Sequence, residues 1–220
     1  LALVAFLESL GGRAQVSSGL LPPDAPVPEV GVDGGPYRAL SAAEAAMFVR
    51  GREVFDRDFT PETGLGPRFN GDSCRACHFD PTTGGAGPID LNVTRQSIVS
   101  DDGVTAPEGG TLLHRHSADG SRPEPAEGVN FFELRQPPTT FGVGLIDRID
   151  EAAILANADP EDVDGDGIRG RAHVRTDGRL GRFSWKGGVP SSEEFMRDAL
   201  SAEVGLTLPA RDGQTLGVTT

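Results

Sequence analysis

The sequence predicts a mainly α domain with long irregular loops and a small β insertion. Three observations lead there. Two capping signatures, Ser41-Ala42-Ala43-Glu44 and Ser191-Ser192-Glu193-Glu194, each open an amphipathic stretch. A tight Cys-x-x-Cys-His turn, Cys74-Arg75-Ala76-Cys77-His78, holds both cysteines of the chain. Glycine and proline supply 30 and 17 of the 220 residues and hydrophobic content is 37%, which implies long connections around a modest core.

Taken in order, Leu1–Leu10 is apolar, interrupted by Glu8 and followed by Gly11, and reads as the end of an amphipathic helix. Residues 1–12 are therefore expected to close an upstream domain, and residues 13–40 to form a linker, extended through its proline-rich part at Leu21–Pro28. A helix opens at N-cap Ser41 and runs to about Asp56, with Ala45, Phe48, Arg52 and Phe55 on one face. Loops follow on both sides of the cysteine turn. Residues 91–99 alternate weakly and stop at Asp101-Asp102-Gly103, which predicts a short strand. A helix is expected from N-cap Asp150 to Ala156 or Asn157, ended by Asp159-Pro160. Asp177-Gly178 is a hairpin candidate. The last helix opens at Ser191, with Phe195, Ala199 and Leu200 inward and Gly205 beyond its end. Residues 41–207 form the main domain, and 208–220 read as an open-ended linker toward a missing further domain.

Cys-x-x-Cys-His is the attachment signature of c-type haem. The two thiols of Cys74 and Cys77 add to the porphyrin vinyl groups, and the His78 imidazole lies under the iron as proximal ligand. The alternatives are a redox cysteine pair and half of a zinc site. A structural zinc takes four ligands, and no second cysteine pair exists. A thioredoxin-like pair wants a βαβ context, whereas the flanks here are Gly-, Pro- and Asn-rich. Covalent haem c is assembled outside the bacterial cytoplasm, so the motif implies a periplasmic or extracytoplasmic location. The net charge of −13 argues against nucleic acid as a partner. No run reaches the roughly 18 apolar residues of a membrane span.

Other residues are candidates around such a haem. Phe69 and Asn70 precede the turn and could wall the haem edge. His114 and His116, two apart, share one face of a strand; one of them ligates or lines the distal side, or both are exposed loop histidines. Met196 is the only methionine after the motif. Trp185, the sole tryptophan, is either core or a relay for an electron hole. Asp162, Asp164 and Asp166, with Gly167, are similar to the first half of a calcium loop, in which alternate carboxylates converge on a hard cation. The twelfth place holds His173 where a closing Glu belongs, so a solvated acidic turn is the competing reading.

Several segments together resemble the dihaem oxidoreductase family of peroxidase-like proteins, sometimes labelled thiol oxidoreductases. They are Gly66-Pro67-Arg68-Phe69-Asn70 leading into the cysteine turn, Gln136-Pro137-Pro138-Thr139-Thr140-Phe141-Gly142-Val143-Gly144-Leu145-Ile146-Asp147, the run from Ala156 to Arg171, Gly181-Arg182-Phe183-Ser184-Trp185-Lys186, and Asp198 to Thr207. The resemblance covers about residues 41–207. It implies a cytochrome c-like helical haem domain, with residues 1–12 similar to the C-terminal helix of a preceding cytochrome domain. It further implies a second haem domain in the parent chain, shortly after residue 220, and periplasmic electron-transfer proteins as partners. The activity implied is haem-based redox chemistry of a peroxidase kind; a domain that only carries electrons is the alternative. Asp147 stands where family members show Glu, and the resemblance gives it the role of distal acid, with Gln136 as a hydrogen-bonding neighbour.

Overall fold

The computed structural model describes residues 21, 25–209 and 211. The expected helix at Leu1–Leu10, part of the linker and the 212–220 tail lie outside the described residues.

Helix α1 spans Ala42–Asp56, as its capping box dictates: the Ser41 side chain accepts from the Glu44 N–H, and the Glu44 carboxylate accepts from the Ser41 N–H at 2.8 Å. It buries Gly51, Phe55 and Asp56 at its C-terminal end. Strand β1 (Arg68–Phe69) precedes the cysteine turn and pairs with β5 (His116–Ser117), Phe69 opposite His116. Strand β2 (Val93–Ser100) is the hub of a four-stranded antiparallel sheet with β3 (Gly103–Thr105), β4 (Leu112–Leu113) and β6 (Phe131–Arg135). Three further helices are α2 (Val143–Ile146), α3 (Glu151–Ala156) and α4 (Ser192–Ala202). N-caps Asp150 and Ser191 start α3 and α4 as their sequences require.

The expectation of a mainly α, cytochrome c-like helical fold is overturned. The chain is 24% helix and 16% strand, and its sheets are antiparallel. The described helices are 15, 4, 6 and 11 residues long, and the two middle ones are too short to build a helical core. The physical reason lies in two segments. Residues 93–105 and 131–135 are rich in Val, Ile, Thr and Phe, which suit a pleated surface, and they find each other across β2 and β6, Ser97 to Val93 against Phe131 to Arg135. Pro137 and Pro138 and the glycines on both sides of Val143 then keep α2 to one turn.

The hydrophobic core is small and sits at the C-terminal end of α4: Phe59, Leu200, Val204 and Leu206, with Cys74, Met196 and Val54 packed against it. Phe195, expected inward, is exposed on the opposite side of α4 and stacks on Phe183. Gly205 (φ 75°) lets the chain after α4 pass backbone-to-backbone against Gly66, where a Cβ on either residue would overlap the other. Gly66 N–H donates to the Val204 carbonyl, and Asn70 N–H to the Glu203 carbonyl. The segment leading into the cysteine turn is thus fixed to the end of α4. Asp177-Gly178 makes a tight turn closed by a single Val174–Leu180 bridge, with Gly178 at φ 82°.

Candidate haem-attachment site

The cysteine turn is one turn of helix-like backbone. His78 N–H donates to the Cys74 carbonyl at 3.0 Å, and Cys77 N–H to the same carbonyl at 3.2 Å. Ser73, 3% exposed, caps the turn by accepting from the Ala76 N–H. Arg75 fixes it from outside. Its N–H donates to the Phe55 carbonyl, its Nε lies 2.8 Å from Asp56 Oδ1, and its guanidinium also pairs with Asp58.

Cys74 and Cys77 are both free thiols. Burial pushes the Cys74 thiol up to about 12, with the neighbouring Cys77 adding to the effect. Burial also raises Cys77, and the Glu203 carboxylate raises it further. Reactive redox pairs depend on the opposite shift, toward thiolate. Among the described residues no third and fourth Cys or His joins the pair to complete a zinc site.

The His78 imidazole donates its Nδ1–H to the Pro138 carbonyl at 2.8 Å, which makes Nε2 the nitrogen that carries the lone pair. Burial lowers its pKa, which favours the neutral ring, the form able to ligate a metal. Phe55 lies 6.4 Å away, ring to ring. The Pro138 segment is held in place by Gly84 and Gly87: Thr140 N–H donates to the Gly84 carbonyl at 2.8 Å, Gly87 N–H to the Pro137 carbonyl at 3.0 Å, and Gln136 Nε2 to the Gly87 carbonyl at 2.8 Å. Beyond Pro138, α2, α3 and the turn between them leave Leu145, Ile146, Ile149 and Leu155 exposed. Such an apolar stretch marks a surface for a ligand or partner. Two thiols on one turn and an imidazole with a fixed tautomer form a donor set that fits a covalently held haem.

The structure distributes the remaining candidates. Gln136 lies beside the turn through its Gly87 bond. Asn70, 4% exposed, donates to Glu203 Oε2 and accepts the Arg115 N–H at 2.9 Å, so it braces the approach to the turn. Phe69 packs against the His116 ring in a tilted arrangement, centroids 5.4 Å apart. His114 Nε2 is bonded to the Ala202 carbonyl at 2.8 Å. Asp147 accepts the Ser192 N–H at 3.1 Å and bonds the Ser192 hydroxyl, at the start of α4. Trp185 is exposed, with the Arg135 guanidinium 4.2 Å from its ring centre.

The acidic run forms a group of Asp159, Asp162 and Asp164, whose oxygens lie within 4.8 Å of one another. Asp166 stands outside that group and accepts from the Ile168 N–H instead.

Sequence reading missed Arg75 with Asp56 and Asp58, the Pro138 carbonyl, and Glu203. A charged residue between two cysteines was a readable signal for the first. The other two depend on tertiary approach. Compared with family models, curated proteins and solved structures, the chain matches none.

Proposed function

We propose that the chain is a periplasmic or extracytoplasmic haem c protein, and that it serves as the first haem domain of a dihaem, peroxidase-like oxidoreductase. One observation carries the reading: a single turn presents two free thiols and an imidazole whose Nδ1–H is held by the Pro138 carbonyl. Cys74 and Cys77 would hold the group by thioether bonds and His78 would ligate its iron through Nε2; the bound group would supply one-electron redox chemistry.

The protein side of that chemistry is orientation and charge. The Pro138 carbonyl fixes the ring plane and tautomer of His78 and makes the imidazole a stronger electron donor. Burial favours the uncharged ring. The Arg75 clamp holds the turn against the end of α1.

A peroxidase-like role over a pure electron carrier is supported by the resemblance carried by residues 41–207. Of the candidate ligands after the turn, Met196 packs on the core cluster and His114 Nε2 is held by the Ala202 carbonyl. A second haem domain in the parent chain and periplasmic electron-transfer proteins are the partners of this reading.

The test is expression in a bacterial host with its cytochrome c maturation system. A haem-staining band that survives denaturation, lost in Cys74→Ala/Cys77→Ala, is the expected result. A chain that emerges with both thiols free ends the proposal. The electron paramagnetic resonance spectrum of the ferric holoprotein then separates the roles: a high-spin signal altered by peroxide is expected, and a purely low-spin signal indifferent to peroxide leaves only electron transfer.

A further inference from the structure

A cavity of about 530 Å³ opens between the β2–β6 sheet and the turn that carries Trp185. In register, Arg95 of β2 faces Glu133 of β6, and Arg135 follows two residues on, so all three side chains stand on one face of the sheet. Arg135 grips Glu133 with both ends of its guanidinium, Nε to Oε1 at 3.1 Å and Nη2 to Oε2 at 2.9 Å. Arg95 and Lys186 act on the same carboxylate through space. Three cations therefore gather around Glu133, and although Arg95 also pairs with Glu203 at 3.8 Å, cations outnumber carboxylates here in a chain whose net charge is −13.

The apolar part of the cavity is aromatic. Trp185 is 56% and Phe131 49% exposed. Arg135 already covers part of the indole at 4.2 Å. Arg95 Nε is buried with no hydrogen-bond acceptor, the state that an added acceptor relieves.

The backbone of this wall is strained. Ser184 sits at φ 68°, ψ −177° and Lys186 at φ 53°, ψ 34°. The first region is nearly exclusive to glycine, and the second is rare for a long side chain. Two of the three described non-glycine residues with positive φ are thus on one turn, the turn that presents the only lysine and the only tryptophan of the protein. Strain of this kind persists where the surroundings enforce a geometry, and it gathers at binding sites.

We propose that this cavity binds a small aromatic carboxylate, its ring against Trp185 and Phe131 and its carboxylate between Lys186 and Arg95. Flat aromatic walls select the ring, and the one cation in excess of the carboxylates selects the acid group. The site is independent of haem attachment and stands or falls without it.

Isothermal titration of benzoate into the full chain, as it purifies and at low salt, tests the assignment. Cyclohexane carboxylate and inorganic phosphate serve as comparison ligands. Saturable one-site binding of benzoate is expected, tighter than either comparison. Lys186→Asn keeps a residue that tolerates the left-handed conformation and removes the charge; it should weaken benzoate about ten-fold, the cost of one charge-assisted contact. Trp185→Leu should bring benzoate down to the affinity of cyclohexane carboxylate. Thermal melts of both variants matching the parent show that the fold is intact; should either fail to fold, Phe131→Leu is read in its place. Absence of saturable benzoate binding, equal affinity for phosphate, or affinity unchanged in the folded variants overturns the proposal.

Discussion

Arg75 Nε lies 2.8 Å from Asp56 Oδ1, and this ion pair joins the cysteine turn to the last residue of α1. The Asp56 side chain is 3% exposed and that of Arg75 15%, so neither charge is well solvated. Leu21 N–H donates to the other Asp56 oxygen at 2.9 Å, and Asp58 shares the guanidinium. Removing one partner leaves a buried charge without compensation, which costs about 3–5 kcal/mol. Arg75→Ala should lower the stability of the chain by that amount in urea denaturation. It should also reduce the yield of haem-stained product, because the two thiols are no longer held on a fixed turn. Arg75→Met/Asp56→Leu, which removes both charges together, should recover much of the stability. A midpoint unchanged in Arg75→Ala would show that the clamp is not needed.

Asp147 has a structural duty that its sequence context did not reveal. Its carboxylate accepts the Ser192 N–H at 3.1 Å at the start of α4, beside the Ser191 cap. Asp147→Ala should cost about 1 kcal/mol, the usual loss for a helix-capping group. Asp147→Asn keeps one acceptor oxygen and should cost less. Peroxide turnover of the holoprotein gives the second reading. If Asp147→Asn folds like the parent and loses turnover, the carboxylate acts as an acid; if it retains turnover, the role is confined to the cap.

Local signals were legible where the chemistry was local. The Ser41–Glu44 box, the Asp150 and Ser191 caps, the strand stopped by Asp101-Asp102-Gly103 and the Asp177-Gly178 turn all stand where short-range rules put them. The fold class was not legible, because it depends on β2 meeting β6 some thirty residues later, and a weakly alternating segment does not name its partner. Phe195 failed for a related reason. A helical face says which residues go together, whereas the neighbours decide which face is covered, and α4 turns Leu200 to the core and Phe195 outward. At the site, the Cys-x-x-Cys-His spacing was complete in five letters, but the Pro138 carbonyl that fixes His78 lies 60 residues away.

Glu203 gives a pH dependence of definite sign. Burial raises its pKa above 4.5 despite the Asn70 hydrogen bond and the nearby Arg95 and Arg115. A carboxyl with a raised folded-state value contributes stability that is complete below about 4.5 and lost as pH rises through the folded value. In that window the folded chain binds more protons than the unfolded one. The stability of the parent relative to Glu203→Gln should therefore fall with rising pH from about 4.5 upward, by at most about 1.4 kcal/mol per pH unit. Gln keeps an oxygen for Asn70 and removes the charge. Urea midpoints of both chains between pH 4 and 8 measure the difference, and parallel curves would contradict the assignment.

Gly87 tests whether the site depends on the approach of two backbones. A Cβ built there would overlap the Cys77 carbonyl oxygen and lie 3.0 Å from Pro137 Cγ. Neither neighbour is the loose end of a flexible side chain. Gly87 also donates its N–H to the Pro137 carbonyl and accepts from Gln136, so it is the joint between the cysteine turn and the segment that presents Pro138 to His78. Gly87→Ala must push these two segments apart, at a cost of about 1–3 kcal/mol for forced overpacking. The displacement falls on the His78–Pro138 bond, so the holoprotein should show a shifted Soret band and a higher midpoint potential as the imidazole loses its acceptor and donates less strongly to iron. Gly144→Ala adds the same methyl group where nothing lies within 4 Å and serves as the control. Equal spectra and potentials for Gly87→Ala, Gly144→Ala and the parent would mean that the Pro138 contact does not set the electronics of the site.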